Sequence, residues 1–142
     1  MTTATKEQIF VKKRNGRETE LLDLNKIHVM VEEACKGLSG VSYSQVEMNS
    51  HLSFYDGITS ADIQETLIRS ASDLISLENP NYQFVAARLL LFSLRKSIFQ
   101  KMYECWDLGT QIEYGIKAGV YDPAITEYYT AEEVQELSDY ID

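Results

Sequence analysis

The sequence is poor in cysteine and histidine, with two of each in 142 residues. Cys35 and Cys105 form no CxxC pair and no zinc-ligand pattern, and they are too few for a disulfide framework. We expect both to be buried, Cys35 as a small core residue on an apolar helix face and Cys105 beside Trp106. His28 and His51 have no metal-ligand spacing, so we expect structural or surface roles for them. Zinc ribbons and disulfide-stapled domains are therefore excluded.

Long apolar runs and basic charge are also scarce. The longest apolar stretch, about residues 84–92, is interrupted by Arg88, whereas a spanning helix needs about 20 apolar residues. The first residues, MTTATKEQ, lack the apolar core of a secretory signal, so we expect a cytoplasmic protein. Acidic side chains outnumber basic ones by 22 to 13, which argues against nucleic acid as the main partner. GxSxG, HExxH, P-loop and GxGxxG motifs are all missing from the sequence.

Against this acidic background, Lys12, Lys13 and Arg14 stand in a row just before Asn15-Gly16. Asn-Gly is a strong hairpin signal because both residues tolerate positive φ. It lies between two β-prone runs, residues 8–11 and 19–24. The connection is longer than two residues, so the sequence leaves the strand register open. A two-stranded hairpin is marginal alone and must rest on another element.

Apolar spacing predicts four helices after the hairpin. They are expected to begin at Asp23 or Asn25, at Ser42, at Thr59 or Ser60, and at Pro80. They are expected to end near Gly37 or Gly40, near Tyr55, near Ile75 and near residue 103. Ser42 and Gln45 form a capping-box pattern at the second start. The last helix is apolar around most of its circumference, which predicts a central post buried on several sides.

Two further helices are predicted over residues 110–118 and 130–141, the second opening on a capping box at Thr130. The expected fold is α+β and mostly α: a small N-terminal hairpin over a four-helix bundle, followed by two short helices. We expect a boundary after residue 103, with residues 1–103 as one domain and residues 104–142 as a helical appendage. We expect the chain to be a segment of a longer protein.

The basic residues have a shared position if the hairpin lies across the end of the bundle. Lysines and arginines near the hairpin and late in the fourth helix would then converge: Lys12, Lys13, Arg14, Lys26, Arg95 and Lys96. Convergent cations in an acidic protein favour a highly charged anion such as a triphosphate. The plain alternative is a set of solvated surface charges.

The ordered segments VKKRNG, DLNKI, FYDGITSADIQETLIRSASDLIS and NYQFVAARLLLFSLRK resemble the ATP-cone domain. More narrowly, they resemble the cone at the N-terminus of the large (α) subunit of class I ribonucleotide reductase, of the enterobacterial type. AGVYDPAITEYYTAEEVQELSDYID resembles the helical lead-in to the catalytic barrel, so the resemblance runs from about Phe10 to Asp142. It implies an allosteric domain in which ATP permits activity and dATP inhibits it, with Mg²⁺ accompanying the nucleotide.

The resemblance also implies residue roles. On the phosphate side it implies Val11, Lys13, Arg14 and Lys96; on the adenine side, Glu20, Asp23, Lys26 and Ile27; and at the start of the third helix, Ser60, Ile63 and Gln64. The chain departs from the enterobacterial pattern in a hairpin loop one residue longer, in Gln64 for a histidine and in Asp23 for an asparagine. These changes imply a shifted ATP-versus-dATP preference, because glutamine can still hydrogen-bond a sugar hydroxyl but offers no cation to a phosphate, and aspartate offers no amide donor.

The resemblance implies that this segment is not an enzyme, whereas the parent protein converts ribonucleotides to deoxyribonucleotides. Implied partners are the rest of the large subunit and, in a dATP-induced oligomer, the small (β) subunit or other large subunits. The exposed faces of the first two helices, around Glu32, Glu33 and Glu47, are a candidate docking surface, with a solvated face as the alternative.

Two alternatives remain at this point. A cone from a transcriptional repressor would need a four-cysteine zinc ribbon, and the sequence has no CxxC. A helical interaction domain with a degenerate nucleotide pocket stays possible because of Gln64 and the altered loop.

Overall fold

The computed structural model describes residues 8–141, so nearly all of the segment MTTATKEQ lies outside the described residues. Within that range the fold is α+β and mostly α, as predicted. Its elements in chain order are β1 (Phe10–Lys12), β2 (Thr19–Leu21), α1 (Leu24–Cys35), α2 (Tyr43–His51), α3 (Ser60–Asp73), α4 (Tyr82–Phe99), α5 (Leu108–Lys117), α6 (Ile125–Tyr128) and α7 (Ala131–Tyr140). The chain divides into two compact units between Leu94 and Arg95. The predicted boundary after residue 103 stays a prediction.

The structure determines the strand register of the hairpin, which the sequence left open. β1 and β2 are antiparallel, with Val11 opposite Glu20. Gly16 adopts a φ of +67°, and its N–H donates to the Lys13 carbonyl at 2.9 Å. The Asn15 side chain accepts from the N–H groups of Arg17 and Glu18 at 3.1 and 3.3 Å. Only the glycine of the pair therefore uses positive φ, while the asparagine closes the loop through its side chain.

A third segment pairs with the other edge of β1. The Gly57 N–H donates to the Phe10 carbonyl at 2.8 Å, and the Lys12 N–H donates to the Ile58 carbonyl at 2.9 Å. Lys12 and Thr59 form a parallel bridge. Because α3 begins at the next residue, Ser60, this pairing brings the start of α3 to the end of β1 that carries the cations.

The first and third helices begin where the sequence predicted. Asp23 caps α1 by accepting from two backbone N–H groups, and Thr59 caps α3 by accepting from the N–H of Asp62 at 3.1 Å. Each helix buries one stripe, which comprises Ile27, Met30, Val31 and Ala34 in α1 and Ile63, Gln64, Leu67, Ser70 and Ala71 in α3. The sequence predicted that α3 extends to about Ile75. The helix ends at Asp73 instead, and Ile75 is 47% exposed.

The predicted capping box of α2 is wrong. Ser42 makes no side-chain cap bond; instead its N–H donates to the Tyr82 hydroxyl at 2.9 Å. That hydroxyl in turn donates to Gln45 Oε1 at 2.7 Å. The helix also stops at His51, short of the predicted Tyr55.

The fourth helix is shorter and more open than predicted. It begins at Tyr82 rather than Pro80, and Gln100, at a φ of +56°, follows its last residue. One face is buried, comprising Tyr82, Val85, Ala86, Leu89 and Phe92, but Leu90 is 58% exposed. Within residues 8–141, this predicted central helix is therefore buried on one face, not on several sides.

Arg88 fastens α4 to the end of α1. Its Nη1 donates to the carbonyls of Ala34 and Lys36 at 3.0 and 2.7 Å. The last carbonyls of a helix have no partner within the helix, and a cation there also complements the helix dipole. The arginine that interrupts the apolar run is thus used as a C-terminal cap.

After the end of α4, the described residues of the second unit form three helices, α5, α6 and α7, where the sequence predicted two. Asp107 caps α5 by accepting from the Thr110 N–H at 2.8 Å, and the capping box at Thr130 is confirmed. The Trp106 ring lies 4.7 Å from that of Tyr114, centroid to centroid. Cys105 is exposed, so the prediction that it is buried is wrong. No helix within residues 8–141 is long and apolar enough to cross a membrane.

Candidate functional site

Lys13 and Lys26 are joined by an acidic side chain of β2. The Lys13 ammonium lies 3.2 Å from Glu18 and 3.6 Å from Glu20, and the Lys26 ammonium lies 3.5 Å from the other oxygen of Glu20. The hydrogen bond and charge of Glu18, followed by the charge of Glu20, raise the pKa of Lys13. Both lysines are therefore held by carboxylates at the surface, and ion pairs of this kind are weak.

Arg14 is held differently, by neutral acceptors. Its Nη2 donates to Gln64 Oε1 at 2.6 Å and to Ser93 Oγ at 3.1 Å. Gln64 is only 6% exposed, and its amide nitrogen donates to the Met30 sulfur at 3.7 Å. The loop cation is thus connected to a buried amide of α3 and to a hydroxyl of α4 without an acidic group in either bond.

Two helix starts lie beside the hairpin. The bridge between Lys12 and Thr59 brings the α3 start next to β1, and Ser60 is the first residue of that helix. At α1, Asp23 Oδ1 accepts from the Asn25 and Lys26 N–H groups at 3.0 and 3.4 Å. Asp23 is therefore used as a cap, and its adenine-side role stays a prediction.

Three predicted apolar site residues are buried. Val11 and Ile27 are each 5% exposed and Ile63 is 6% exposed. Two of these buried residues are sequence neighbours of polar predicted-site residues, since Ile63 precedes Gln64 and Ile27 follows Lys26. A direct contact between these side chains and a ligand stays a prediction.

Lys96 lies in the last turn of α4 and belongs to the second unit. Arg95, also in that unit, donates to the Tyr103 carbonyl at 3.4 Å. The structure thus joins Lys13, Glu20 and Lys26 in one set of ion pairs and Arg14 and Gln64 in another set of contacts. The phosphate-side role of Lys96 stays a prediction.

The sequence did not identify Ser93 and Met30 as neighbours of Arg14 and Gln64. Ser93 lies in the fourth helix and Met30 in the first, far from the hairpin in sequence. No local pattern marks either residue. Only the packing of α1, α3 and α4 around the hairpin brings them to the same place.

These features define a class: a small α+β domain that presents cations on a hairpin loop beside a helix start. The ATP cone domain family matches residues 9–97, and the chain belongs to that family.

Similar proteins extend the match past the cone. The alpha subunit of ribonucleoside-diphosphate reductase 1 from Salmonella typhimurium strain LT2 is 44% identical over 135 residues, covering 95% of this chain and 18% of that protein. Its counterpart from Escherichia coli strain K12 is 43% identical over 136 residues, covering 96% and 18%. The ribonucleoside-diphosphate reductase alpha subunit of Helicobacter pylori strain 26695 is 48% identical over 86 residues, covering 61% and 11%. The chain thus spans less than a fifth of the length of these curated relatives.

Proposed function

We propose that this chain is the activity-regulating cone of a ribonucleoside-diphosphate reductase large subunit and that it binds ATP or dATP. The observation that carries the proposal is the placement of Arg14 on the β1–β2 loop, directly after Lys13, where its Nη2 donates to the neutral side chains of Gln64 in α3 and Ser93 in α4. A triphosphate needs several N–H donors and positive charge at one place. The family match to residues 9–97 supports the same ligand class.

The ion pairs of the lysines suit a ligand exchange. Lys13 and Lys26 are held at 3.2 to 3.6 Å by Glu18 and Glu20. Exposed pairs of this kind are weak, so a triphosphate can displace the carboxylates from both ammonium groups. The carboxylates then have to turn away, because they repel the phosphates.

The start of α3 adds a second kind of donor. Its first N–H groups have no partner within the helix, and the helix dipole favours negative charge there. The Thr59 side chain accepts from the N–H of Asp62. The next two residues, Ile63 and Gln64, are predicted site residues. We propose that Ser60 lies near the ribose or phosphates and that Lys96 completes the phosphate contacts.

Mg²⁺ is proposed to accompany the triphosphate. The side chains around Arg14 and Lys13 include cations, which suit phosphate oxygens rather than a metal ion. The ion would accordingly be held mostly by phosphate oxygens and water. Its contribution is to offset part of the ligand charge, while Lys13 and Arg14 bind the remaining oxygens.

ATP and dATP differ by one hydroxyl group, so their discrimination requires little free energy. A tenfold preference corresponds to about 1.4 kcal/mol, which is about one hydrogen bond gained or lost. We propose that ATP permits reduction of ribonucleotides by the parent enzyme and that dATP inhibits it. The proposed partners are the rest of the large subunit and, in the inhibited state, the small subunit or further large subunits.

The test removes the two loop cations together. Lys13→Ala with Arg14→Ala deletes two charge-assisted contacts, and we expect triphosphate affinity to fall roughly a hundredfold. Titration calorimetry with Mg·ATP and Mg·dATP measures the affinity and the number of nucleotides bound. Circular dichroism checks that the double variant keeps its helices.

A matched control removes two other cations of the first unit. Lys36 and Arg69 are exposed and paired with Glu33 and Glu65, so Lys36→Ala with Arg69→Ala changes the net charge equally. Affinity should stay near that of the unmodified chain. If the first double variant binds as tightly as the control, the pocket lies elsewhere. If the unmodified chain binds neither nucleotide, the helical interaction domain with a degenerate pocket is the better description.

A further inference from the structure

Gln64 is the most enclosed polar side chain near the hairpin cations. It is 6% exposed, and both ends of its amide are engaged, the oxygen with Arg14 Nη2 at 2.6 Å and the nitrogen with Met30 Sδ at 3.7 Å. A contact with a sugar hydroxyl, as the sequence suggests, would require breaking the short bond to Arg14. A bond between an amide oxygen and a charged guanidinium is stronger than one between neutral groups. The resting geometry thus favours a role toward Arg14.

Ser93 accepts the second hydrogen bond from the same nitrogen, Arg14 Nη2. The bonds to Gln64 Oε1 and Ser93 Oγ, at 2.6 and 3.1 Å, account for the two hydrogens that one guanidinium Nη carries. Three of the five N–H donors of an arginine lie outside these bonds. The side chain is therefore fixed at one corner, and its other guanidinium donors have no hydrogen-bond partner within residues 8–141 and can bind an anion.

The chemistry of the two acceptors matters as much as their position. Glu18 and Glu20 hold Lys13 with full negative charges, so they offset the positive charge that they orient. Gln64 and Ser93 are neutral and orient Arg14 while its charge stays intact. Orienting a long side chain in advance also lowers the entropy lost when a ligand binds.

We propose that Gln64 and Ser93 are positioning residues that hold the Arg14 guanidinium ready for the phosphates of the ligand, and that Gln64 acts through Arg14 rather than on the ribose. This inference rests on the proposed function, since it assumes that a nucleotide binds at this loop. It adds Ser93 to the site and gives Gln64 a different role from the one that the sequence suggests.

The test uses variants that keep the volume of the buried side chain. Gln64→Met retains an unbranched chain beside Met30 but removes the acceptor for Arg14. We expect the affinities for Mg·ATP, Mg·dATP and inorganic tripolyphosphate to fall by the same factor, roughly tenfold, because only the phosphate contact is affected. The ratio of ATP to dATP affinity should stay unchanged. Ser93→Ala, at a half-exposed position, should give a smaller loss for all three probes, roughly threefold.

A double-mutant cycle identifies the route of the effect. If Gln64 acts through Arg14, then Gln64→Met has no further effect once Arg14→Ala is present. Ser72→Ala is the matched control for Ser93→Ala, because the exposed Ser72 hydroxyl bonds only to the Ile68 carbonyl of its own helix. Thermal unfolding of every variant checks that the domain remains folded.

Three results would overturn the inference while leaving the proposed function standing. These are unchanged affinity in Gln64→Met, a changed ATP-to-dATP ratio with tripolyphosphate unaffected, and additive losses in the cycle with Arg14→Ala. Failure of the unmodified chain to bind any of the three probes would instead reject the proposed function, and the inference with it.

Discussion

At the scale of single residues, one buried tyrosine hydroxyl takes the role that the predicted capping box gave to the Gln45 side chain. Tyr82 is 2% exposed, and its hydroxyl accepts from the Ser42 N–H while donating to Gln45 Oε1. Tyr82 is the first residue of α4, and its hydroxyl accepts from a backbone N–H at the start of α2. This single group therefore ties two helices together.

Tyr82→Phe should destabilise the domain by about 1–3 kcal/mol, because the partly buried Ser42 N–H loses its acceptor. Chemical denaturation measures the loss as a lower midpoint with an unchanged slope. Tyr55→Phe is the matched control, since Tyr55 is 58% exposed, and it should change stability by less than about 0.5 kcal/mol. Equal stability of the two variants would show that the Tyr82 hydroxyl contributes nothing to the cap.

The cysteines show the same dependence on local surroundings. Burial raises the pKa of the Cys35 thiol, with the nearby Arg88 charge opposing the shift. Cys105 is exposed instead. Proximity to a tryptophan in sequence did not predict burial, because Trp106 directs its ring toward Phe99 and Tyr114.

At the scale of elements, helix starts set the geometry of both units. In the first unit, pairing of residues 57–59 with β1 fixes where α3 begins. In the second, Asp107 caps α5 with both carboxylate oxygens, through the Thr110 N–H at 2.8 Å and the Thr110 hydroxyl at 3.1 Å. The bond from the Thr110 N–H is the main reason that the pKa of Asp107 is lowered.

This lowered pKa predicts a specific pH dependence. The cap stabilises the folded state fully above the unfolded pKa, near 3.9, and this contribution is lost as the pH falls through the lower folded pKa. Carbon-13 NMR of the Asp107 carboxyl group should therefore give a folded pKa below about 3.9. Asp107→Asn keeps an acceptor at every pH, so the stability advantage of the unmodified chain over this variant should shrink on acidification.

Asp139→Asn is the control for that experiment. Asp139 accepts from Gln135 within α7 and caps no helix. If the difference in stability between the unmodified chain and Asp107→Asn stays constant from pH 6 to pH 3, the carboxylate cap does not contribute as described.

At the scale of the whole molecule, the proposed regulation is a question of assembly. A ligand shifts an equilibrium only by its different affinity for the two states. dATP therefore has to bind better to the cone in the inhibited assembly than to the cone in the active one. The contacts of Arg14 with α3 and α4 give the ligand a route to the helices of the first unit.

We expect dATP, but not ATP, to raise the mass of a full-length reductase that carries this cone, in the presence of its small subunit. Light scattering coupled to size exclusion measures the mass with each nucleotide. The Lys13→Ala and Arg14→Ala double variant should abolish the increase, because it removes the contacts proposed for the phosphates. A mass that does not respond to dATP in the unmodified protein would contradict this assembly.

The sequence by itself determined the features that depend on neighbouring residues. Thr130 caps its helix as predicted, and Asp23 and Thr59 cap theirs as one of the two starts predicted for each, because each cap and the backbone N–H that donates to it lie within three residues of each other. The mostly helical fold with an N-terminal hairpin followed for the same reason, since apolar spacing and turn residues are local signals.

Only the tertiary structure decided which distant groups meet. The Tyr82 hydroxyl, rather than the Gln45 side chain, accepts from the Ser42 N–H, Arg88 caps α1, and Gln64 and Ser93 hold Arg14. Each contact joins residues on separate elements, and no spacing along the chain encodes it. The physical reason is that a buried or charged polar group takes whichever partner the packing of the core brings within hydrogen-bonding distance.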